Sequence, residues 1–536
     1  MRKLLAMLLA LALVFGMSAS AFAAPNDQTI TVNLGSQPET LDPQMNSASD
    51  GSNYIKHMFE GLMKYGWDGS GIVNGAAESY EISEDGLVWT LKIRDDAKWS
   101  DGKDLTAQDF EYSMKRLVNP ENAAPYAGDM GKYLLNGLEI VEGTKPVEEL
   151  GVKCIDEKTI ELTLSGPCGW FLEILAFPTY YPVRQDMVEQ YGDTWMTQPE
   201  SLIGNGAYKL EAWTMDEEIV VVPNENYYAY DEIVAGKIVF KLIADPNAKL
   251  AAIRSGEIDF CDDYPTEELE AVKAEGIFDL TAQLGTYYVN FNNGAEPFDN
   301  ALVRKAFTLA LDTDYLSDNI MQGTYLPANN FVGPGFVDAD GSDFHKANSI
   351  IDRSDYAANC AAAQEALAEA GYPNGEGFPT VSYATNVAGA HLPTAEAMVA
   401  MWKEVLNVNV EISQMDWNVF LDARRQGMHT MARDGWIADY GDPSNLLDLM
   451  TSYSGNNSTF YNNPEFDKMM QDVAASGDAE YRMKTMHEAE MLAIGTDYAC
   501  APVYYYAQQM LRNPKLSGYG LYATGEKLFH QAVLAD

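Results

Sequence analysis

The segment Lys98-Trp99-Ser100-Asp101-Gly102-Lys103-Asp104-Leu105-Thr106-Ala107-Gln108-Asp109-Phe110 decides how this chain is read. Asp101-Gly102 is tight-turn chemistry, since glycine enters left-handed backbone without steric cost. Thr106 is a good N-cap, and Phe110, Met114 and Leu117 follow at three- and four-residue spacing, so a helix is predicted from Ala107. Upstream, Leu87-Val88-Trp89-Thr90-Leu91-Lys92-Ile93 alternates as a strand entered through the Asp85-Gly86 turn. Farther back, Thr29-Ile30-Thr31-Val32-Asn33-Leu34 alternates too and runs into turns around Pro38 and Pro43. Strand and helix patterns thus intermix from the start, which predicts an α/β chain.

The first residues have the form of an export signal. Arg2-Lys3 is a short basic region, Leu4 to Phe15 is apolar but too short to span a bilayer, and Ala21-Phe22-Ala23 has the small-x-small form of a cleavage site. Residues 1–23 are therefore expected to be a signal peptide, with a free, soluble, periplasmic protein beyond it. No cysteine stands near the site to carry a lipid anchor. The rest of the chain is too long for one core and predicts two or three domains.

A formal charge of −44 repels phosphate backbones and anionic headgroups, which argues against nucleic-acid and membrane-surface partners. The five cysteines (154, 168, 261, 360 and 500) fit no zinc or iron–sulfur spacing. One or two disulfides are allowed in an oxidising compartment, with Cys154 and Cys168 the nearest pair.

Near the other end, Arg433-Asp434-Gly435-Trp436-Ile437-Ala438-Asp439-Tyr440-Gly441-Asp442-Pro443 sets a carboxylate among bulky apolar residues. A buried Asp439 needs hydrogen bonds or a cation. Two readings are open from these residues: an internal ion pair with Arg433, or a cleft carboxylate that accepts the ammonium of a zwitterionic ligand.

With Phe59-Glu60-Gly61-Leu62, Asn205-Gly206-Ala207-Tyr208, Ser255-Gly256-Glu257-Ile258-Asp259, Val303-Arg304-Lys305-Ala306-Phe307 and Pro502-Val503-Tyr504-Tyr505-Tyr506, these two stretches make seven segments in order. Taken together they resemble the extracellular solute-binding proteins of peptide-type ABC importers, in the oligopeptide-binding branch. The resemblance implies a two-lobed periplasmic-binding-protein-like α/β fold with two hinge crossings and an extra inserted α+β subdomain. It places the first lobe at 24–64, 188–285 and 506–536, the insertion at 65–187 and the second lobe at 286–505, with crossings near Gly285 and Tyr505. It also implies capture of short oligopeptides by a monomer that delivers them to the transmembrane subunits of an ABC permease, without cofactor, metal or catalysis.

A binder of varied peptides must hold what all peptides share, their two charged ends and a strand-like backbone. By resemblance Asp439 takes the α-ammonium, and Arg433, Arg424 and His391 serve the carboxylate at different reaches. Trp417, Trp436, Tyr126, Tyr287, Asn292, Asn386, Gly435, Ile437 and Tyr505 are expected to line the cleft, Tyr505 standing for the Tyr504 to Tyr506 run. Two departures matter. Relatives can carry a disulfide at the positions of Gly285 and Ile437, and an acidic cleft residue falls at Gly51, with Asp50 beside it.

The rival classes are the same fold with another ligand (a dipeptide, murein peptide, nickel chelate or sugar) and an exported hydrolase. The chain has no Gly-x-Ser-x-Gly, His487-Glu488 lacks the second histidine of a zinc-protease helix, and no Gly-x-x-x-x-Gly-Lys binds ATP.

Overall fold

The alternating Thr29–Asn33 stretch forms strand β1 of the computed structural model, which describes residues 25–535. The expected signal peptide lies outside the described residues. After helix α1 (Ser49–Met58) the chain makes a long excursion. There Ala77–Ile82, Val88–Ile93, Thr159–Thr163 and Val152–Asp156 pair in that order into a separate antiparallel sheet. Helix α2 (Ala107–Val118) starts where Thr106 predicts. The Asp109 carboxylate closes its first turn, accepting the Thr106 N–H and hydroxyl at 2.8 Å each.

The chain then returns to build the main sheet. Its strands are β2 (Tyr208–Thr214), β3 (Glu218–Pro223), β4 (Lys237–Lys241), β5 (Phe260–Cys261), β6 (Phe278–Phe291), β7 (Val381–Asn386), β8 (Val410–Met415), β9 (Met431–Ile437) and β10 (Cys500–Arg512). Between them run α3 (Pro246–Ser255), α4 (His391–Leu406) and α5 (Trp417–Arg425). In space the order is β8-β7-β9-β6-β10-β5-β1-β4-β3-β2. Parallel pairs on either side (β1 with β4 and β5, β7 with β8 and β9) flank the antiparallel β6–β10 ladder that joins the halves, and β3 and β2 extend the β4 end antiparallel.

That ladder breaks in its middle. Pairing runs to Ala282–Ala507 and resumes at Thr286–Tyr505, so Gln283-Leu284-Gly285 face Tyr506 out of register. Leu284 turns away from β10: its N–H donates to the Ala523 carbonyl, and its own carbonyl accepts the Ala438 N–H, both at 2.7 Å. The interior divides as well. Ile30, Phe240, Leu91 and Phe110 share one buried cluster, and Tyr287, Phe307, Trp402 and Tyr504 another. Two cores joined by two long strands make the two-lobed α/β fold that the sequence predicts, with the 77–163 sheet packed into the core of the β1 half.

Gly285 and Ile437 are register partners across β6 and β9. A Cβ on Gly285 would lie 2.5 Å from the Trp436 carbonyl, so this close approach requires glycine. The allowed Cys154–Cys168 disulfide is corrected: all five thiols are free. Cys154 is on the edge strand of the insertion's sheet, whereas Cys168 is buried in the loop before the Phe171–Leu175 helix.

Candidate functional site

Past Ala432, strand β9 loses its β7 neighbour, because that ladder ends at the Ala384–Ala432 pair. Arg433 to Ile437 therefore keep β6 on one side and an open edge on the other. A cavity lies there between the lobes, with 360 Å³ open to the centres of water molecules. The second lobe supplies Asn386, His391, Trp417, Arg424, Arg433, Gly435, Trp436, Ile437 and Asp439 to its wall, and the insertion supplies Tyr126 and Phe177. Gly435 leaves room for Tyr506: a Cβ there would meet that hydroxyl at 2.0 Å and push the ring aside.

Asp439 is 8% exposed and its carboxylate has two side-chain partners, neither of them charged. The Tyr126 hydroxyl lies 3.2 and 3.3 Å from its two oxygens, and Asn445 Nδ2 donates to Oδ2 at 3.2 Å. Asn445 Oδ1 also accepts the Asp439 N–H (3.0 Å) and Trp436 Nε1–H (2.8 Å), which locks carboxylate and indole together. The nearest-acting cation, Lys56, is spent on Glu526 at 2.8 Å. Burial consequently pushes the Asp439 carboxyl up to about 7; the Asn445 bond and the Lys56 charge oppose the rise only in part. No Lys, Arg or His among the described residues pairs with it, so the internal Arg433–Asp439 ion pair does not form.

Arg433 is the complementary case. It is 6% exposed, donates from Nε to Asn386 Oδ1 at 2.6 Å, and lies over Trp417 and Phe420 with its guanidinium carbon 5.1 and 5.0 Å from the ring centroids. Among the described residues no carboxylate pairs with it. The cavity wall thus carries, along one strand and the turn after it, a guanidinium without an anion and a carboxylate without a cation.

Other expected contacts need correction. Arg424 borders the cavity, but its charge is answered by Asp434, which also accepts from Asn290 and Ser458. Burial alone would raise the Asp434 carboxyl, yet Arg424 and these donors hold it below the usual carboxylate range. His391 is in the wall, but burial and then the charges of Arg433 and Lys249 drive its imidazole well below its ordinary value. It is therefore neutral and can offer a carboxylate one N–H, not a cation. Tyr287 is fully buried behind the wall, its hydroxyl 3.2 Å from that of Tyr383. Asn292 ties off the Gly427 and His429 carbonyls at 3.2 and 3.1 Å, away from the cavity. Tyr505 points to the other face of β10, where its hydroxyl accepts the Asn330 N–H at 3.0 Å, whereas Tyr504 and Tyr506 face inward.

Sequence reasoning missed the charged first-lobe wall. Lys249 pairs with Asp263 at 3.3 Å and Lys527 with Asp262 at 3.3 Å, and all four line the cavity. Asp50 lines it without a cation and is pushed up to about 7, chiefly by burial and then by Asp262. No local motif marks the two ion pairs, whose residues come from α3, the loop after β5 and the C-terminal segment, whereas Asp50, on α1, stands beside the position where the resemblance puts an acidic cleft residue.

Among the described residues no group of three or more His, Cys, Asp or Glu could hold a metal ion. His487 is engaged by Asp338 at 2.8 Å and stacks on Phe344. No helix among the described residues is long and apolar enough to cross a membrane.

Comparison with known proteins agrees with the fold. The chain is 35% identical over 522 residues to the periplasmic oligopeptide-binding protein OppA of Salmonella typhimurium, covering 95% of this chain and 94% of that one. It superposes on Haemophilus influenzae OppA in complex with RPPGFSPFR at a TM-score of 0.88, with 31% identity, covering 96% of this chain and all of the other. Against the unliganded open form of the murein tripeptide-binding protein MppA the TM-score is 0.62 at 29% identity, covering 95% and 98% of the chains. This chain therefore overlays the peptide complex more closely than the unliganded open form. The family of bacterial extracellular solute-binding proteins, family 5 Middle, matches residues 71–458, and this chain belongs to it.

Proposed function

We propose that this protein captures short oligopeptides between its lobes for a peptide-importing ABC transporter. The observation that carries the reading is the pair of unanswered charges, Asp439 and Arg433, at either end of an open strand edge. An extended peptide can add to that edge as a strand, with its ammonium at Asp439 and its carboxylate toward Arg433. The relatives named for oligopeptides support the same ligand class. Trp417, Trp436, Tyr126, Asn386, Gly435 and Ile437 would then frame the ligand. His391 and Arg424 would act as a neutral donor and a half-committed cation. Closure would turn about the break at 283–285 and 506, moving 286–505 against 24–64, 188–285 and 506–536 with the insertion at 65–187.

The protein would be exported through its leader to the periplasm and work as a monomer. It would dock on transmembrane permease subunits whose cytoplasmic partners hydrolyse ATP. Binding without turnover is part of the proposal, so a peptide incubated with the protein stays intact.

Mass spectrometry of the small molecules released on denaturation tests the ligand class. A mixture of short peptides is expected; one non-peptide compound would keep the fold and overturn the ligand. Length dependence tests the polarity. From Arg433 to Asp439 an extended strand would span about 20 Å, so Arg433→Ala is expected to weaken peptides long enough to reach it and to spare dipeptides. Calorimetry with di- to hexa-alanine checks this, and equal losses at every length would show that Arg433 supports the fold instead.

A further inference from the structure

We infer that Arg425, Glu39 and Ser47 form a clasp between the lobes that sets how long a bound ligand is retained; this rests on the peptide-capture reading above. Among the described residues two ion pairs join 286–505 to the rest of the chain: Lys132–Asp448 and Arg425–Glu39. They bracket the cavity. Lys132–Asp448 is at the ammonium end, where the Tyr440 hydroxyl, next to Asp439, reaches Asp448 at 3.4 Å. Arg425–Glu39 is at the other end, beside Arg424 and Ser47, which both line the cavity.

The geometry of the second pair is that of a built contact. The guanidinium meets Glu39 in a two-pronged arrangement, with Nη1 toward Oε1 and Nη2 at 2.6 Å from Oε2, and Nη2 also donates to Ser47 Oγ at 2.7 Å. Arg425 ends α5, whose first residue Trp417 is in the cavity wall, while Glu39 and Ser47 lie in the loop between β1 and α1. None of the three partners needs a ligand atom, so the clasp closes the same way over any side chain. Opening the lobes must break it and rehydrate both charges. It therefore acts on the exit step, whatever Asp439 and Arg433 select.

At 27% and 25% exposure the two side chains can be changed without opening a core, which makes the inference testable. Dissociation of tetra-alanine, followed by tryptophan fluorescence in stopped flow, is compared for the wild type, Glu39→Gln, Arg425→Gln and the swap Glu39→Arg/Arg425→Glu. Each single change is expected to speed dissociation about tenfold, equivalent to ~1.4 kcal/mol, with association nearly unchanged and the swap restored to within about threefold. Equal dissociation in all four proteins, or a swap no slower than the single variants, overturns the clasp. If wild-type protein binds no tetra-alanine, the peptide reading fails separately. The clasp is then judged by small-angle X-ray scattering of the proteins as purified: a larger radius of gyration in the single variants, reversed by the swap, supports it, and identical profiles overturn it.

Discussion

Asp439→Ala is expected to lower the affinity for tri-alanine by a hundredfold or more while leaving the protein folded. An α-ammonium enclosed in the cavity loses its water, and the neutral donors around Asp439 offer it nothing in exchange. Truncating one partner of such a buried charge pair costs ~2–5 kcal/mol, much of it the penalty on the charge left behind. Stability should move the other way. Without ligand the buried carboxylate is a burden, shown by its rise to about 7, so Asp439→Asn is expected to raise the melting temperature of the empty protein. N-acetyl-tri-alanine supplies the control, because it lacks the cation and should bind wild type and variant about equally weakly. Calorimetry showing unchanged tri-alanine affinity in Asp439→Ala would move the ammonium elsewhere.

The second large effect concerns the empty protein and pH. An aspartate exposed to water has the ordinary value of 3.8, whereas burial pushes the Asp439 carboxyl up to about 7 when the lobes enclose it. The closed form therefore binds the proton more tightly, and empty closure becomes easier as pH falls through 7. Between pH 8 and 5 the closing equilibrium gains about a hundredfold, or ~2.7 kcal/mol, from Asp439 alone. Asp50, also near 7 in the closed cavity, adds to it in the same direction. Scattering of ligand-free protein should thus show a smaller radius of gyration at pH 5 than at pH 8. Asp439→Asn should flatten about half of the change, and Asp439→Asn/Asp50→Asn nearly all of it. A radius independent of pH in the wild type would mean that the carboxylates do not oppose empty closure.

Much of this was legible in the sequence because it is local. The Thr106 cap, the alternating strands and the turn residues obey neighbour rules, and Asp439 among apolar residues is anomalous on its face. What was not legible depends on direction and on distance along the chain. Tyr504, Tyr505 and Tyr506 are chemically alike, and only the pleat of β10 decides that the middle one faces away. Arg424 and Arg433 are equally basic, yet Asp434 neutralises the first and only Asn386 meets the second. Lys56 and Glu526 lie at opposite ends of the chain, so no spacing rule could have shown that Lys56 is unavailable to Asp439.

One of Asp439's donors, the Tyr126 hydroxyl, stands on the insertion, while Asp439 stands on the facing lobe. Under the proposed function, the receptor for the ammonium would therefore be assembled in the same movement that removes its water. A membrane partner that recognises the closed outline would then be reading a proofread message. Under that function, the outline would form readily at neutral pH only around a cation, so an empty protein would be screened out before it could trigger ATP hydrolysis, and the check would depend on where one carboxylate is buried.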